Sequence, residues 1–279
     1  MSELLTAARE HPLFAHRETM LYVAFSLMAA EIVVLSLGYR ARYQTGLMLS
    51  TSAMWIVEQG GRFVMYPLRL LVFLAMAELA PSWLSVGFSR ALLGPGATLA
   101  LAYLCVDFLY YWKHRLLHRL DLGWALHAVH HSSDDFNLMA ALRLGWVQRY
   151  LDDFFYLPLC LLGLPPVVVL LAVELNHASQ FWCHTRCIGR LGLLDRLINT
   201  PSNHRVHHAH TRALADHNYG STLMCWDRWF GTYAAEPEGG VPTFGVEQGP
   251  VGLNPLRIQL TPLFLYLRGL RTSQVDAHS

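Results

Sequence analysis

His114-Arg115-Leu116-Leu117-His118, His127-Ala128-Val129-His130-His131 and His204-Arg205-Val206-His207-His208 decide how this chain is read. The three runs hold eight of its 15 histidines. Spacings of three and four put side chains on one face of a helix, so each run projects its imidazoles together. Histidine is neither a strong helix former nor a good core filler, whereas neutral imidazole is the commonest protein metal ligand. Three such runs in one chain therefore predict a metal site. Eight nitrogen ligands exceed what a single catalytic zinc takes and suit two metal ions with positions left free. Imidazole accepts Zn, Cu, Fe and Ni alike, so ligand type alone does not choose the metal.

Outward from the runs, the 279 residues are 53% hydrophobic and 15% charged, with a net charge of +1. Soluble domains carry about 25% charged residues. The balance predicts a membrane part and a catalytic part, and with no basic stripe or nucleic-acid motif it excludes nucleic acid as a partner. Five cysteines in no C-x-x-C pair exclude a disulfide framework and an iron–sulfur site. Cys183 and Cys187 flank His184 and read as packing residues more readily than ligands. No signal peptide precedes the first apolar run.

Met20–Leu37 is long enough to span a bilayer, which needs about 20 residues, and Arg40 and Arg42 place its end in the cytoplasm. Leu47–Val57 is too short to cross, Gly60-Gly61-Arg62 punctuates the chain, and a second span covers Leu68–Val86. After the turn at Leu93-Gly94-Pro95-Gly96, a third runs over Ala97–Trp112 and delivers Lys113, His114 and Arg115 to the cytoplasm. For His131 and His204 to share a site, the chain between them must leave and return on one side. Pro165-Pro166 breaks it, giving a helical hairpin of Met139–Gly163 and Pro166–Trp182 that dips into the membrane. Thr200-Pro201-Ser202-Asn203 reads as a turn into a helix, with Ser202 or Asn203 as cap. Thr261–Leu270 reads as a short amphipathic helix at the membrane surface. The expected fold is all-α, a polytopic membrane helical bundle with a cytoplasmic histidine-rich di-metal catalytic cap. Its parts are N-terminal spans in 1–96, a catalytic domain in 97–235 with the hairpin at 139–183, and a C-terminal loop and amphipathic tail in 236–279.

The returning arm of the hairpin ends where the site must be, which makes His184 a ninth ligand. His177, two turns before it, suits a ligand less well than a hydrogen-bonded supporting residue. His210 and His217 read as solvated loop residues, and His11, His16 and His278 as terminal ones. Asp107 stands seven residues before His114, facing the same way from a membrane helix. A carboxylate there points to function, as a hydrogen-bond partner of a metal-bound histidine or in an ion pair with Arg115. Tyr110, Tyr111, Trp112 and Trp124 suit either a substrate cavity or an interfacial belt.

The runs and their flanks resemble the membrane fatty acid hydroxylase/sterol desaturase superfamily. The matching residues are Asp107-Phe108-Leu109-Tyr110-Tyr111-Trp112-Lys113-His114-Arg115 with His118, His127–Ser133, Asn199–His208, Asn218-Tyr219-Gly220 and Trp226–Thr232. Asn137, Ala141-Leu142-Arg143 and Gln180-Phe181-Trp182 with His184-Thr185 look closest to the alkylglycerol monooxygenase branch and its bacterial relatives. The resemblance implies a non-haem di-iron oxidoreductase that uses O₂ to hydroxylate or desaturate a membrane lipid. Its iron ligands would be His114, His118, His127, His130, His131, His184, His204, His207 and His208. Two positions depart from that branch: Arg119 stands where it has Glu, and His217 where it has Lys. Oxidising an unactivated C–H bond needs chemistry that a metal supplies and no side chain can. No dinucleotide fingerprint, flavin motif or ferredoxin cysteine set is present. Electrons therefore come from a separate partner, such as a ferredoxin, a cytochrome b5-like protein or a reductase. The rival reading, a zinc-dependent membrane hydrolase, needs an acid–base residue beside its ligands as in His-Glu-x-x-His, and no His-Glu dipeptide occurs. A haem protein would need one or two axial histidines rather than three runs.

Overall fold

The computed structural model describes residues 17–39, 44–81, 94–241, 243–246 and 252–269. Arg40, Arg42, Val86, Leu93, the terminal histidines and the end of the tail lie outside them. Two compact units divide at Tyr43 and Gln44. The first contains α1 (Arg17–Val34), which passes into a π-helical turn at Leu35–Tyr39. Its apolar stretch Leu21–Leu37 coincides with the expected first span.

The second unit is helical, and among the described residues only two isolated β-bridges interrupt it. It begins with α2 (Thr45–Glu78), 34 residues of unbroken helix. The expected break at Gly60-Gly61 is absent. A side chain at Gly61 would strike the Tyr150 hydroxyl, so this glycine serves a close packing contact and not a turn. Pro67 also lies inside the helix. Among the described residues α2 is the one helix long and apolar enough to cross a membrane.

Gly94 and Pro95 start α3 (Pro95–Arg119), which carries the first histidine run. Pro at the first helical position loses no intrahelical hydrogen bond. The expected third span lies within α3, but this helix does not reach the apolarity of a membrane crossing. Ala102 and Val106 bury its middle in the main core with Phe73, Tyr156, Val169 and Val173. The chain then turns sharply into α4 (Asp121–His131), the second run. Gly123 makes that corner possible: a Cβ there would sit 2.8 Å from Leu117 Cα.

The first arm of the expected hairpin is not one helix. It is a 3₁₀ turn (Leu138–Leu142), α5 (Trp146–Leu151), a second 3₁₀ turn (Asp152–Tyr156) and α6 (Leu157–Leu161). Asn137 caps the first turn through its side chain. Gly145 passes so close to Leu126 O that a Cβ would lie 2.6 Å from it. The break at Pro165-Pro166 is present: Gly163, with φ 87°, closes the turn and Pro166 opens α7 (Pro166–Ser179). α7 packs along α3 and ends in a 3₁₀ turn, Phe181–Cys183, directly before His184.

Two short helices follow, α8 (Leu193–Leu197) and α9 (Pro201–His207), the second bearing the third run. The cap of α9 is Thr200, two residues before the expected Ser202 or Asn203, and its hydroxyl accepts from Asn203 N. Then come α10 (Cys225–Trp229) and α11 (Pro255–Leu267). α11 starts at Pro255, capped by Asn254, earlier than the expected Thr261. It packs on α4, and Gln259 ties it to Leu144 O and Trp146 N. Leu256, Leu260, Phe264 and Leu267 stay exposed on its outer face.

Candidate metal centre

The four segments bring nine buried histidines together. His114, His118, His127, His131 and His207 form one group, and His130, His184, His204 and His208 a second. Within each group the facing nitrogens lie within 4.8 Å of one another. The groups adjoin, since the rings of His131 and His208 stack at 4.3 Å. These are the nine positions expected from the spacing and the resemblance. No carboxylate or thiol belongs to either group.

The orientation of the rings is set from behind. Nδ1 of His114 meets Tyr219 O at 2.9 Å, that of His130 meets Arg143 O at 3.2 Å, and that of His207 meets His217 O at 3.0 Å. His184 Nδ1 lies 3.1 Å from Gln180 O. A carbonyl only accepts, so each of these nitrogens carries the proton and leaves Nε2 as a bare lone pair. His127 Nδ1 does the same with Gln148 Oε1 at 3.1 Å, and Asp152 fixes that amide by accepting from Gln148 Nε2 at 3.3 Å. Asp152 is itself paired with buried Lys113 at 3.0 Å. His118 Nδ1 faces Asp216 Oδ1 at 3.5 Å.

The consequence is a set of lone pairs pointing at each other. Nε2 of His114 and His127 are 3.0 Å apart, those of His130 and His184 3.3 Å, and those of His184 and His204 2.9 Å. For the first two pairs both Nδ1 protons are already committed, so neither contact is an ordinary hydrogen bond between neutral rings. Both ring nitrogens of His131 are buried without a hydrogen-bond partner. Protonation does not resolve the conflict. Burial first, then the neighbouring imidazoles, holds His127, His131, His204 and His208 well below the usual histidine range. Burial takes His130 to about 4 against the opposing effect of the hydrogen bond it donates to Arg143 O. A cation in each group would take one nitrogen from every ring, including one of the two left bare on His131, and the donor set fits a transition metal.

A loop supports the site from one side. Asp216, His217 and Tyr219 face three histidines of the five-membered group, and this loop holds two non-glycine residues in the left-handed region, Asp216 at φ 61° and Asn218 at φ 58°. Asp227 clamps it, accepting from Tyr219 N, Gly220 N and Thr232 Oγ1, each at 2.7 Å. Gly220 has no room for a Cβ, which would lie 2.8 Å from Asp227 Oδ2. Arg119 interacts with Asp216 and Tyr219, so its charge acts on this loop. On the other side, Arg205 and Glu236 form a buried two-pronged pair at 2.6 and 2.8 Å. Phe136 stacks on His184 and on Phe244, closing the four-membered group.

Asp107 is elsewhere. Its carboxylate accepts from Asn176 Nδ2, Thr222 N, Leu223 N and Trp226 Nε1 at 2.8 to 3.2 Å. None of these partners is an imidazole, and Arg115 turns instead to the Tyr111 hydroxyl. The expected contact with a metal-bound histidine is replaced by a clasp that joins α3, α7 and the loop before α10. Seven-residue spacing put Asp107 and His114 on one face of α3, but two turns separate them and α7 fills the interval. His177 belongs to neither group and pairs with Arg149 at 3.1 Å. His217 contributes its carbonyl and not its ring. Cys183 donates to Asn199 O, in keeping with a packing role. Tyr110 and Trp124 touch ligand-bearing rings, whereas Tyr111 and Trp112 pack with Phe230. Gln148 carried no motif of its own; Arg143, Gln180 and Tyr219 stood in the matching motifs, but only proximity in space reveals that their carbonyls, like the Gln148 amide, back the rings.

Comparison with known proteins places the site in context. Residues 99–232 match the model of the fatty acid hydroxylase family. The chain is similar to alkylglycerol monooxygenase of Homo sapiens, 44% identical over 163 residues, covering 58% of this chain and 36% of that protein. It is 46% identical over 138 residues to the Xenopus tropicalis alkylglycerol monooxygenase, covering 50% of this chain and 31% of that protein. With the ornithine lipid hydroxylase OlsE of Rhizobium tropici it shares 30% identity over 151 residues, 52% of this chain and 44% of that protein. The chain thus matches about a third of the length of these alkylglycerol monooxygenases. No solved structure matches it.

Proposed function

Because residues 99–232 belong to the fatty acid hydroxylase family, we propose that the chain is a non-haem di-iron, O₂-dependent oxidoreductase that hydroxylates a membrane lipid. The observation that carries the metal reading is the pair of all-histidine groups whose Nε2 lone pairs face one another. One iron ion belongs to each group, held by His114, His118, His127, His131 and His207, and by His130, His184, His204 and His208. Bound iron supplies the O₂-activating redox chemistry that no side chain here provides. Desaturation begins with the same hydrogen abstraction and is the variant outcome at the same site.

The chain's own residues bind, orient and exclude water. The Nδ1 hydrogen bonds fix five rings before any ligand arrives, which is the usual reason that outer partners of metal ligands matter. Phe136 and Trp124 cover the rings with apolar surface. In this reading α2 crosses the bilayer and the histidine groups lie on the cytoplasmic side of a multi-pass protein, which the apolar length of α2 and the basic residues around Lys113 and Arg115 support. The substrate is a lipid drawn from the membrane, and the electrons come from a separate redox protein. Alkylglycerol monooxygenase and ornithine lipid hydroxylase among the relatives support a lipid substrate.

Anaerobically purified protein should contain one iron per histidine group and consume O₂ only when lipid and reductant are both present. Lipids from cells carrying the protein should contain an oxygenated species that is missing when His130 is replaced by Ala. A single zinc per chain with O₂-independent lipid cleavage would establish the hydrolase instead. No carboxylate belongs to either histidine group to serve such a hydrolase as its base.

A further inference from the structure

The metal centre leaves one face of the second unit unused. In α8 and α10, Leu193 is 69% exposed, Leu194 48%, Leu197 55% and Trp229 71%. Gly192, with φ 64°, turns the chain into α8. The two helices lie side by side. Met224 N donates to Leu197 O at 3.1 Å, Asn199 N to Thr222 O at 2.8 Å and Arg228 Nε to Arg196 O at 3.1 Å. Their exposed faces therefore adjoin, and a contiguous apolar patch rimmed by polar residues marks an interaction surface.

The charge on this face has one sign. Arg196 and Arg228 are both exposed. The carboxylates of the same helices turn inward. Asp195 accepts from Leu191 N at 2.8 Å and Thr200 Oγ1 at 2.6 Å, and Asp227 is the clamp of the 216–220 loop. The partner of the face is therefore apolar and anionic together.

Height along α3 tells which partner that is. The segment joined to α8 runs down beside α3: Asp107 accepts from Thr222 N and Leu223 N, and the hydroxyls of Tyr103 and Thr222 meet at 2.7 Å. Tyr103 lies about 16 Å below His114 at the helical rise. At that level α3 shares the main core with Val72, Phe73 and Met76 of α2, the candidate membrane span. The face thus stands beside the membrane half of α3, whereas Asp216 meets His118 at the other end of that helix. Tryptophan, leucine and arginine at such a level are the composition of an interfacial segment.

We propose that α8 and α10 form a foot that seats the catalytic unit in a bilayer surface bearing anionic phospholipid. Leu193, Leu194, Leu197 and Trp229 enter the boundary between headgroups and acyl chains, and Arg196 and Arg228 pair with the phosphates. A second copy meeting this face across a two-fold axis would set like charges against each other. The proposal rests on the membrane reading of α2 and α3 and is independent of the metal.

The test is photocrosslinking of the full chain in vesicles of equal parts phosphatidylcholine and phosphatidylglycerol. p-Benzoylphenylalanine is placed in turn at Leu194, at Trp229, at Leu71 on the exposed side of α2 and at Ala213 in the loop after α9, all surface positions. Peptide mass spectrometry should find phospholipid adducts at Leu194, Trp229 and Leu71 and none at Ala213. Adducts at Leu194 should favour phosphatidylglycerol by about fivefold, the weight of one arginine near an anionic surface. Arg196→Gln combined with Arg228→Gln should bring that ratio to about one. Crosslinks from Leu194 and Trp229 to a second copy or another protein, or no lipid adduct there while Leu71 is labelled, overturn the proposal. So does a ratio that the double substitution leaves unmoved. Absence of lipid at Leu71 as well removes the membrane reading with it. Lipid adducts on protein that holds no iron would leave the foot standing and count against the oxygenase alone.

Discussion

At the scale of single residues, the site depends on which nitrogen carries a proton. Spacing was enough to single out the eight clustered histidines, because helical periodicity is local. His184 followed from the hairpin that returns the chain. What the sequence could not display is the set of acceptors behind the rings. Gln148 lies 21 residues from His127 and belongs to no motif, yet its Oε1 at 3.1 Å selects the His127 tautomer. Gln148→Leu removes that acceptor and should weaken metal binding by about 10–100-fold, the usual effect of losing such a partner. Gln148→Glu keeps an acceptor oxygen at that position and should restore most of the loss. His210→Ala, outside both groups, should leave affinity unchanged. Competition with a chromophoric chelator reads all three; equal affinities would show that Gln148 only packs. Asp107 teaches the converse. Its place in an apolar helix pointed to a partner for the histidines, but its carboxylate is taken by Asn176, Thr222, Leu223 and Trp226, and a face shared over seven residues does not amount to contact.

At the scale of elements, the breaks at prolines were legible and those at glycines were not. Pro165-Pro166 ends one arm and opens α7 because a proline pushes the residue before it out of the helical region, leaving Pro165 extended at ψ 129°, whereas the single Pro67 is accommodated inside α2. Gly60-Gly61 looks equally disruptive, and α2 runs straight through it, since the cost of glycine in a helix is only about 1 kcal/mol and tertiary packing of Tyr150 takes the space. The first arm of the hairpin failed as a continuous helix for a related reason: buried Arg143 and Asp152 turn inward to Ser132 and Lys113, and side-chain bonds of that kind are invisible to periodicity. The third run is held by an equally hidden device. α9 is only seven residues long and is pinned by the Arg205–Glu236 pair. Removing one partner of a buried pair strands the other, so Arg205→Ala should destabilise the protein by about 3–5 kcal/mol. Arg228→Ala, at an exposed position, should change stability by less than about 0.5 kcal/mol. Chemical denaturation compares them, and similar losses from both would mean that α9 does not depend on the pair.

At the scale of the molecule, nine buried imidazoles couple folding to protons and to metal. An unfolded histidine titrates near ~6.5. In the fold, burial and mutual repulsion hold the titrating ranges of His127, His131, His204 and His208 well below that, and His130 at about 4. Between the folded and unfolded values the unfolded chain binds more protons than the folded one. Stability therefore rises with pH across that window and is lost as pH falls from about 6.5 toward the folded values. Metal-free protein should show a Tm that is level above neutrality and declines steeply on acidification, with several histidines contributing together. Loaded protein should hold its Tm to lower pH, because bound metal favours the folded state by mass action and protons must compete with it for the same nitrogens. The separation between the two curves should shrink as acid displaces the metal, and chelation at neutral pH should move the loaded curve onto the metal-free one. Differential scanning calorimetry from pH 8 to pH 4, with and without a chelator, checks both. A metal-free Tm that stays flat through pH 5 would mean that the imidazoles do not form a neutral buried cluster, and would remove the physical basis for a metal centre at this position in the fold.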